Sequence, residues 1–322
     1  MARFVFHRKL GHPLSVDDGD RFLDLDRSLH PLSHHHHHHQ HPPSSPTNQP
    51  PKMPTYIHLV RHAQGFHNLS RENQSLPDPD LTPFGKEQCA HLAQTFPLQP
   101  QLTHLVASPL RRTLYTCLLS FAPALNGAAN TNDHLTAPAP PKQVIALPEL
   151  QEVSPLPCDV GSAPAALDAE FGPAGQVDLR HVGEGWNDKS GASAFAPMMG
   201  RLEARARKAR VWLRELGREF EAAHPGVDAH IAVVTHGGFL HFLTGDWDGM
   251  NPVKGTGWEN TEWRSYVFVE AEEGDADAAL RETRVSWRRR RGSAIGLTET
   301  EQDELRAVAK EHLEEEWGAG GV

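Results

Sequence analysis

"IHLVRHAQGFHN", Ile57–Asn68, carries an apolar run that ends on an adjacent arginine and histidine, Arg61 and His62. A short apolar run followed abruptly by polar and small residues is the pattern of a strand buried on both faces. Two strongly polar groups at the end of such a strand stand where the strand leaves the core. Asn68 follows in the same loop.

Working outward, the same signal recurs along the chain. "TYIHLV" opens the series, and "LTHLVAS", "QVIALPEL" and "HIAVVTHGGFLHFL" supply three further strands, the last running into a helix. "SYVFVEA" reads as a late strand near an edge. Helices fall between them. In "LTPFGKEQCAHLAQTF", Thr82 is an N-cap, Pro83 suits the first helical position, and Cys89, Leu92 and Phe96 recur at helical spacing. "PLRRTLYTCLLSFAPAL" is a second helix. "RLEARARKARVWLRELGREFEAAH" is amphipathic, with Leu202, Ala209, Leu213, Leu216 and Phe220 inward and its arginines mostly outward. "NGAANTNDHLTAPAPPK" is a surface loop, and residues 153–200 read as an irregular Gly/Pro/Ala-rich insert over a site.

Strands alternating with helices predict a three-layer α/β/α sandwich around a mostly parallel sheet. Ligands of such sheets bind outside the strand carboxyl ends. Arg61 and His62 follow the first strand, Ser108 the second, Glu149 and Glu152 the third, and His236 the fourth. One rim is therefore expected to collect them all.

The remaining segments divide the 322 residues into an expected N-terminal extension over 1–52, a catalytic domain over 53–296 and an acidic C-terminal helix over 297–322. The extension is His-, Pro- and Ser-rich without apolar periodicity, so it is expected to be disordered. Its run His34–His39 is read as low-complexity sequence or a tag rather than a metal site, and Met53 offers an alternative start.

Composition narrows the function. A formal charge of −10 disfavours nucleic acid as a partner. No apolar run approaches the roughly 20 residues of a membrane span. Three cysteines, Cys89, Cys117 and Cys158, are too few and scattered for a disulfide framework or a Cys-based zinc site. Together with the lack of a signal or transit pattern, this places the expected location in the cytoplasm, with nuclear access open. Oligomeric state is not legible.

The rim chemistry points to phosphoryl transfer. Arginines bind phosphate oxygens through a planar fork, and Arg61 with Arg112 can neutralise a phosphoryl group without a metal. A neutral imidazole nitrogen can attack phosphorus, and neighbouring arginines keep that nitrogen unprotonated. A carboxylic acid can then protonate the leaving alcohol and afterwards activate water. The sequence holds no "GxxxxGKS" loop and no cysteine–arginine phosphate loop.

With those residues in place, "LVRHAQ" resembles the arginine–histidine–glycine motif of the histidine phosphatase superfamily, which includes the cofactor-dependent phosphoglycerate mutases. Asn68 keeps the family's spacing from His62, "LTPFGKEQ" resembles the family's helix start, "ASPLRRT" its serine–leucine–arginine motif, and "VVTHGGFL" its second-histidine motif. The resemblance covers about residues 55–270. On "ELQE", "CDVGS" and "NTEWRSY" it is most similar to fungal phosphoglycerate mutase-like phosphatases. It implies His62 as nucleophile, Arg61, Arg112 and His236 around the transferring phosphoryl group, and Asn68 assisting. For the proton donor it favours Glu152 and leaves Glu149 as the alternative. No cofactor or metal is implied. Two positions depart from the family, Ala63 for its glycine and Gln64 for its glutamate, and neither removes a nucleophile or phosphate ligand.

Plainer readings stand beside these. His62 alone is equally a satisfied histidine at a strand end; it is the ordered set that separates the two. Arg111 is expected to be solvated, with Arg112 as the phosphate residue. His241 is read as structural, Trp186 and Trp258 as core, and Asp159 and Ser162 as either pocket or turn. "WRRRRG", Trp287–Gly292, reads as a solvated charge run. The function expected is a metal-independent phosphatase acting on a small phosphomonoester through phosphohistidine. A phosphoglycerate mutase-type isomerase and a silent phosphate-ester-binding protein are the alternatives.

Overall fold

The apolar runs pair into one seven-stranded sheet in a computed structural model describing residues 54–127, 143–251, 255–269 and 276–317. In chain order the elements are β1 (Thr55–Arg61), α1 (Pro83–Thr95), β2 (His104–Ala107), α2 (Arg111–Ser120), α3 (Ala122–Leu125) and β3 (Val144–Ala146). They continue through α4 (Pro164–Phe171), β4 (Val177–Asp178), α5 (Met199–Ala223), β5 (Ala229–Thr235) and α6 (Gly237–Thr244). β6 (Trp263–Phe268), β7 (Leu280–Glu282), α7 (Arg284–Arg291) and α8 (Glu299–Trp317) complete the series. The sheet order is β4-β3-β2-β5-β1-β6-β7. The first five are parallel; β6 pairs antiparallel with β1, and β7 with β6.

Both faces are covered, because alternate side chains of the central strands enter different cores. Ile57, Leu59, Ile231 and Val233 pack with Leu202, Ala209 and Leu213 of α5 and with Phe239 and Leu240 of α6. Val60, Ala232, Val234, Leu105 and Ala107 pack on the other face with Leu92 of α1 and Leu114 and Cys117 of α2. Each fully buried aliphatic side chain contributes about 1.5–3 kcal/mol, so the central strands anchor the molecule. The start of α1 is built as its sequence predicts. Thr82 Oγ1 accepts from the Gly85 amide at 2.9 Å, and Pro83 occupies the first turn.

Several expectations need correction. Residues 153–200 are not wholly irregular: they include α4 and the two-residue edge strand β4. β6 does lie near an edge as expected, one place inside it, with β7 outermost. The α5 arginines lie mostly outward as expected, and Arg205 is the buried exception, its guanidinium 4.4 Å over the Phe239 ring. The Trp287–Gly292 run is not simply solvated. Arg290 pairs with Glu282 at 2.7 Å, Arg291 pairs with Asp248, and Arg289 stacks on Trp263. The acidic helix α8 is docked through Ala309 and Leu313 onto the α5 side of the core. The His34–His39 run, Met53 and the loop from 128 to 142 lie outside the described residues. Among the described residues no helix is long and apolar enough to cross a membrane.

Candidate active site

β1, β2, β3 and β5 are parallel neighbours, so their carboxyl ends open onto one rim. There the structure brings together Arg61, His62, Ser108, Arg112, Glu152 and His236.

His62 is buried, and its amide continues the sheet by donating to Thr235 O at 2.9 Å. Its Nδ1 lies 2.8 Å from the Ala63 carbonyl. A carbonyl can only accept, so Nδ1 carries the proton and Nε2 is left unprotonated. Burial, reinforced by Arg112, His67 and Arg61, holds its pKa well below the usual imidazole range. The neutral ring is therefore the stable form.

His236 caps the start of α6 and is also buried. Arg112 donates from Nη2 to its Nδ1 at 3.0 Å, and Nε2 lies 2.9 Å from Ser108 Oγ. A guanidinium cannot accept, so the neutral ring carries its proton on Nε2 and can donate there. Arg112 is fixed from two other directions, by the Cys158 carbonyl at 2.5 Å and Asp159 Oδ1 at 2.7 Å. Asp159, read from sequence as either pocket or turn, thus belongs to the site. Ser162 lies in the irregular segment before α4, its amide and hydroxyl both donating to Asp78 Oδ2. Arg61 donates to the Trp258 carbonyl. Arg111 faces outward in a salt bridge with Glu170 at 2.9 Å.

The two candidate acids part company. Glu149 pairs with Lys208 of α5 at 2.5 Å. Glu152 lies against the first turn of α6, where Oε1 accepts from the Phe239 and Val153 amides at 2.9 Å and Oε2 from Gly238 at 3.1 Å. Gly238 is required for this close approach, since a β-carbon there would stand 2.7 Å from Oε1. A helix N-terminus and backbone amides favour the ionised carboxylate. Burial, with Asp159 adding repulsion, outweighs them and raises the Glu152 pKa. Oε2, with a single amide partner, is the oxygen left to carry a proton.

Asn68 is exposed, and its Oδ1 accepts from the Gly65 amide at 3.0 Å, closing the loop after His62. The family departures are absorbed locally. Ala63 is buried beside Leu81 and Cys89, and Gln64 Oε1 accepts from Thr82 Oγ1 at 2.8 Å. His241 is tied to the Asp246 carbonyl and Thr256 Oγ1, and Trp186 and Trp258 are buried. Among the described residues no group of three or more His, Cys, Asp or Glu could hold a metal ion.

Three site residues escape the sequence reading. Lys189, in the 153–200 segment, donates to the Glu152 carbonyl at 2.7 Å, and Arg205 approaches the same oxygen at 3.3 Å. Arg205 lies between Leu202 and Ala209 on the inner stripe of α5, and that spacing was the available signal. The third is His67, whose ring centroid lies 5.3 Å from that of His62. Its signal was its place beside Asn68 in the loop after the nucleophile candidate.

Comparison with known proteins places these features in a wider set. The family model described as histidine phosphatase superfamily (branch 1) matches residues 57–283. Phosphoglycerate mutase-like protein 2 of Arabidopsis thaliana is 39% identical over 75 residues, which cover 20% of this chain and 22% of that protein's length. A mutant phosphoserine phosphatase from Entamoeba histolytica, solved with phosphoserine, aligns at 18% identity and a TM-score of 0.39, over 71% of this chain and 95% of its own. The ecdysone phosphate phosphatase of Bombix mori, solved with tungstate, aligns at 16% identity and a TM-score of 0.42, over 68% and 96%.

Proposed function

The chain belongs to the histidine phosphatase superfamily, and from the geometry of its site we propose that it is a metal-independent phosphatase acting on a small phosphomonoester through a phosphohistidine. The observation that carries this reading is the 2.8 Å contact between His62 Nδ1 and the Ala63 carbonyl. The Nδ1–H is thereby committed, which leaves Nε2 free to attack.

In the proposed reaction, Nε2 of His62 attacks phosphorus. The P–N bond forms as the P–O bond to the leaving group breaks. Glu152 gives its proton to the departing oxygen. The resulting carboxylate then takes a proton from water, whose oxygen attacks phosphorus as the P–N bond breaks. Phosphate leaves, and both residues return to their starting forms. Arg61 and Arg112 balance the charge on the phosphoryl oxygens, and His236 exchanges its Nε2–H bond to Ser108 Oγ for one to a phosphoryl oxygen. Fixed dipoles and charges of this kind supply most of the rate in phosphoryl transfer. The buried Arg112–Asp159 pair keeps the guanidinium in place between turnovers.

The test is phosphate release from a panel of phosphomonoesters with EDTA present, for wild type and His62→Ala. Release by wild type that survives chelation and vanishes in the variant, with an acid-labile label on the wild-type protein alone, is the expected result. Turnover retained by His62→Ala rules the mechanism out. Isomerisation of a phosphoglycerate without net phosphate release would move the assignment to a mutase. Ester binding without turnover would make the protein a binder.

A further inference from the structure

His67 has a position that packing does not explain. The 3-10 turn Phe66–Asn68 is pinned from several sides: Phe66 N donates to Asp80 O at 3.1 Å, Asn73 Nδ2 to Phe66 O at 2.8 Å, and Gly65 N to Asn68 Oδ1 at 3.0 Å. The backbone thus fixes the point from which the imidazole projects. That place is beside the nucleophile candidate: the rings of His67 and His236 flank that of His62, with centroids 5.3 and 5.2 Å away.

Two further observations give the ring a task. Its Nδ1 is buried without a hydrogen-bond partner in the protein, and so are the Nε atoms of Arg61 and Arg112. Buried polar atoms are ordinarily paired, so three unpaired nitrogens on residues around one histidine mark where a polar ligand belongs. Gly65 is also kept bare for this ring. A β-carbon there would lie 2.8 Å from both Cε1 and Nδ1 of His67. The close approach at Gly65 fixes the ring by packing, and the unpartnered nitrogen is the feature a structural histidine would not need.

We propose that His67 is a further catalytic residue of this site, donating a hydrogen bond from its unpartnered ring nitrogen to an oxygen of the phosphoryl group in transfer. The inference rests on the phosphatase reading above. Burial and the two arginines push the His67 pKa down to about 2, so it serves as a neutral donor. It adds directionality without adding to the positive charge around His62.

The test compares wild type with His67→Phe, which keeps aromatic bulk without a ring nitrogen, and His67→Gln, which restores a donor. The readouts are kcat and KM for p-nitrophenyl phosphate, inhibition by orthovanadate, and Tm. His67→Phe is expected to lower kcat/KM about 10–100-fold and weaken vanadate in parallel, with Tm little changed, while His67→Gln recovers part of both. As a second handle, Gly65→Ala should reduce kcat/KM in the wild-type background and have little effect once residue 67 is alanine. Wild-type rates and vanadate inhibition in His67→Phe overturn the proposal, as do equal losses in both variants with a matching fall in Tm. A wild-type protein that neither turns over nor binds vanadate overturns the phosphatase reading as well. Normal wild-type turnover matched by His67→Phe removes only the role of His67.

Discussion

Arg112 donates to Nδ1 of His236 across 3.0 Å, so one guanidinium sets the tautomer of the histidine beside it. The same group holds Asp159 and the Cys158 carbonyl. A lysine cannot reproduce that fork. Arg112→Lys is expected to lower kcat/KM by at least about 100-fold in steady-state assays. Arg112→Ala should also destabilise the fold by about 3–5 kcal/mol in urea unfolding, because it strands the Asp159 carboxylate. Adding Asp159→Asn should recover stability without recovering activity.

The environment of Glu152 predicts a pH profile. A proton donor works while protonated, so activity falls as pH rises through its pKa. Burial raises that pKa above the ordinary 4.5. In the proposed mechanism His62 works while neutral, so activity falls as pH drops through its pKa, which lies well below 6.5. The free-enzyme profile should therefore show no acid limb near 6.5 and an alkaline limb displaced upward from 4.5. Glu152→Gln should abolish the alkaline limb and lower kcat about 10²–10⁴-fold on alkyl phosphates. The loss should shrink on aryl phosphates with acidic phenols, whose leaving groups need less protonation.

Glu149 provides the matching control. Its partner Lys208 is largely exposed, and such a pair contributes about 0–1 kcal/mol. Glu149→Gln should keep kcat/KM within about threefold of wild type and unfold at nearly the same urea concentration. A loss comparable to that of Glu152→Gln would reverse the assignment of the acid.

His58 carries a stability prediction away from the site. Nδ1 meets Ser265 Oγ at 2.9 Å and Nε2 meets His230 Nδ1 at 3.1 Å. Burial lowers its pKa from 6.5 to about 3. The unfolded chain then binds the extra proton first, so stability is full above 6.5 and is lost as pH falls toward 3. Within that window one such group gives a slope of about 1.4 kcal/mol per pH unit. His58→Gln should flatten the wild-type dependence by about that amount, as measured by urea unfolding between pH 6.5 and 4.5.

What the sequence made legible was whatever depends on local pattern. Arg61, His62 and His236 could be placed because apolar runs stop where strands stop. The choice between Glu149 and Glu152 is not local in this sense. Thr235 Oγ1 donates to the Leu150 carbonyl at 2.6 Å, tying β5 to the turn before Glu152, and Lys208 occupies Glu149 from another helix. β4 is two residues long, too short for a period of two to show. Arg205 is the exception among the α5 arginines: charge normally excludes an arginine from an inner stripe, and here a carbonyl and an aromatic face receive it. Lys189 has no periodic context, so only the fold could connect it to Glu152.

The strap before β6 has a consequence for how the protein is made. Asn260 Nδ2 holds the His62 carbonyl at 2.8 Å, and the Trp258 carbonyl receives Arg61, so the loop after β1 is fastened by residues nearly 200 positions downstream. Contacts that distant in sequence close late. A nascent chain emerging from the ribosome would have β1, Arg61 and His62 long before it had the means to hold them in register. The rim is therefore completed only near the end of synthesis, and a chain stopped short of Trp258 would carry His62 without its fastening.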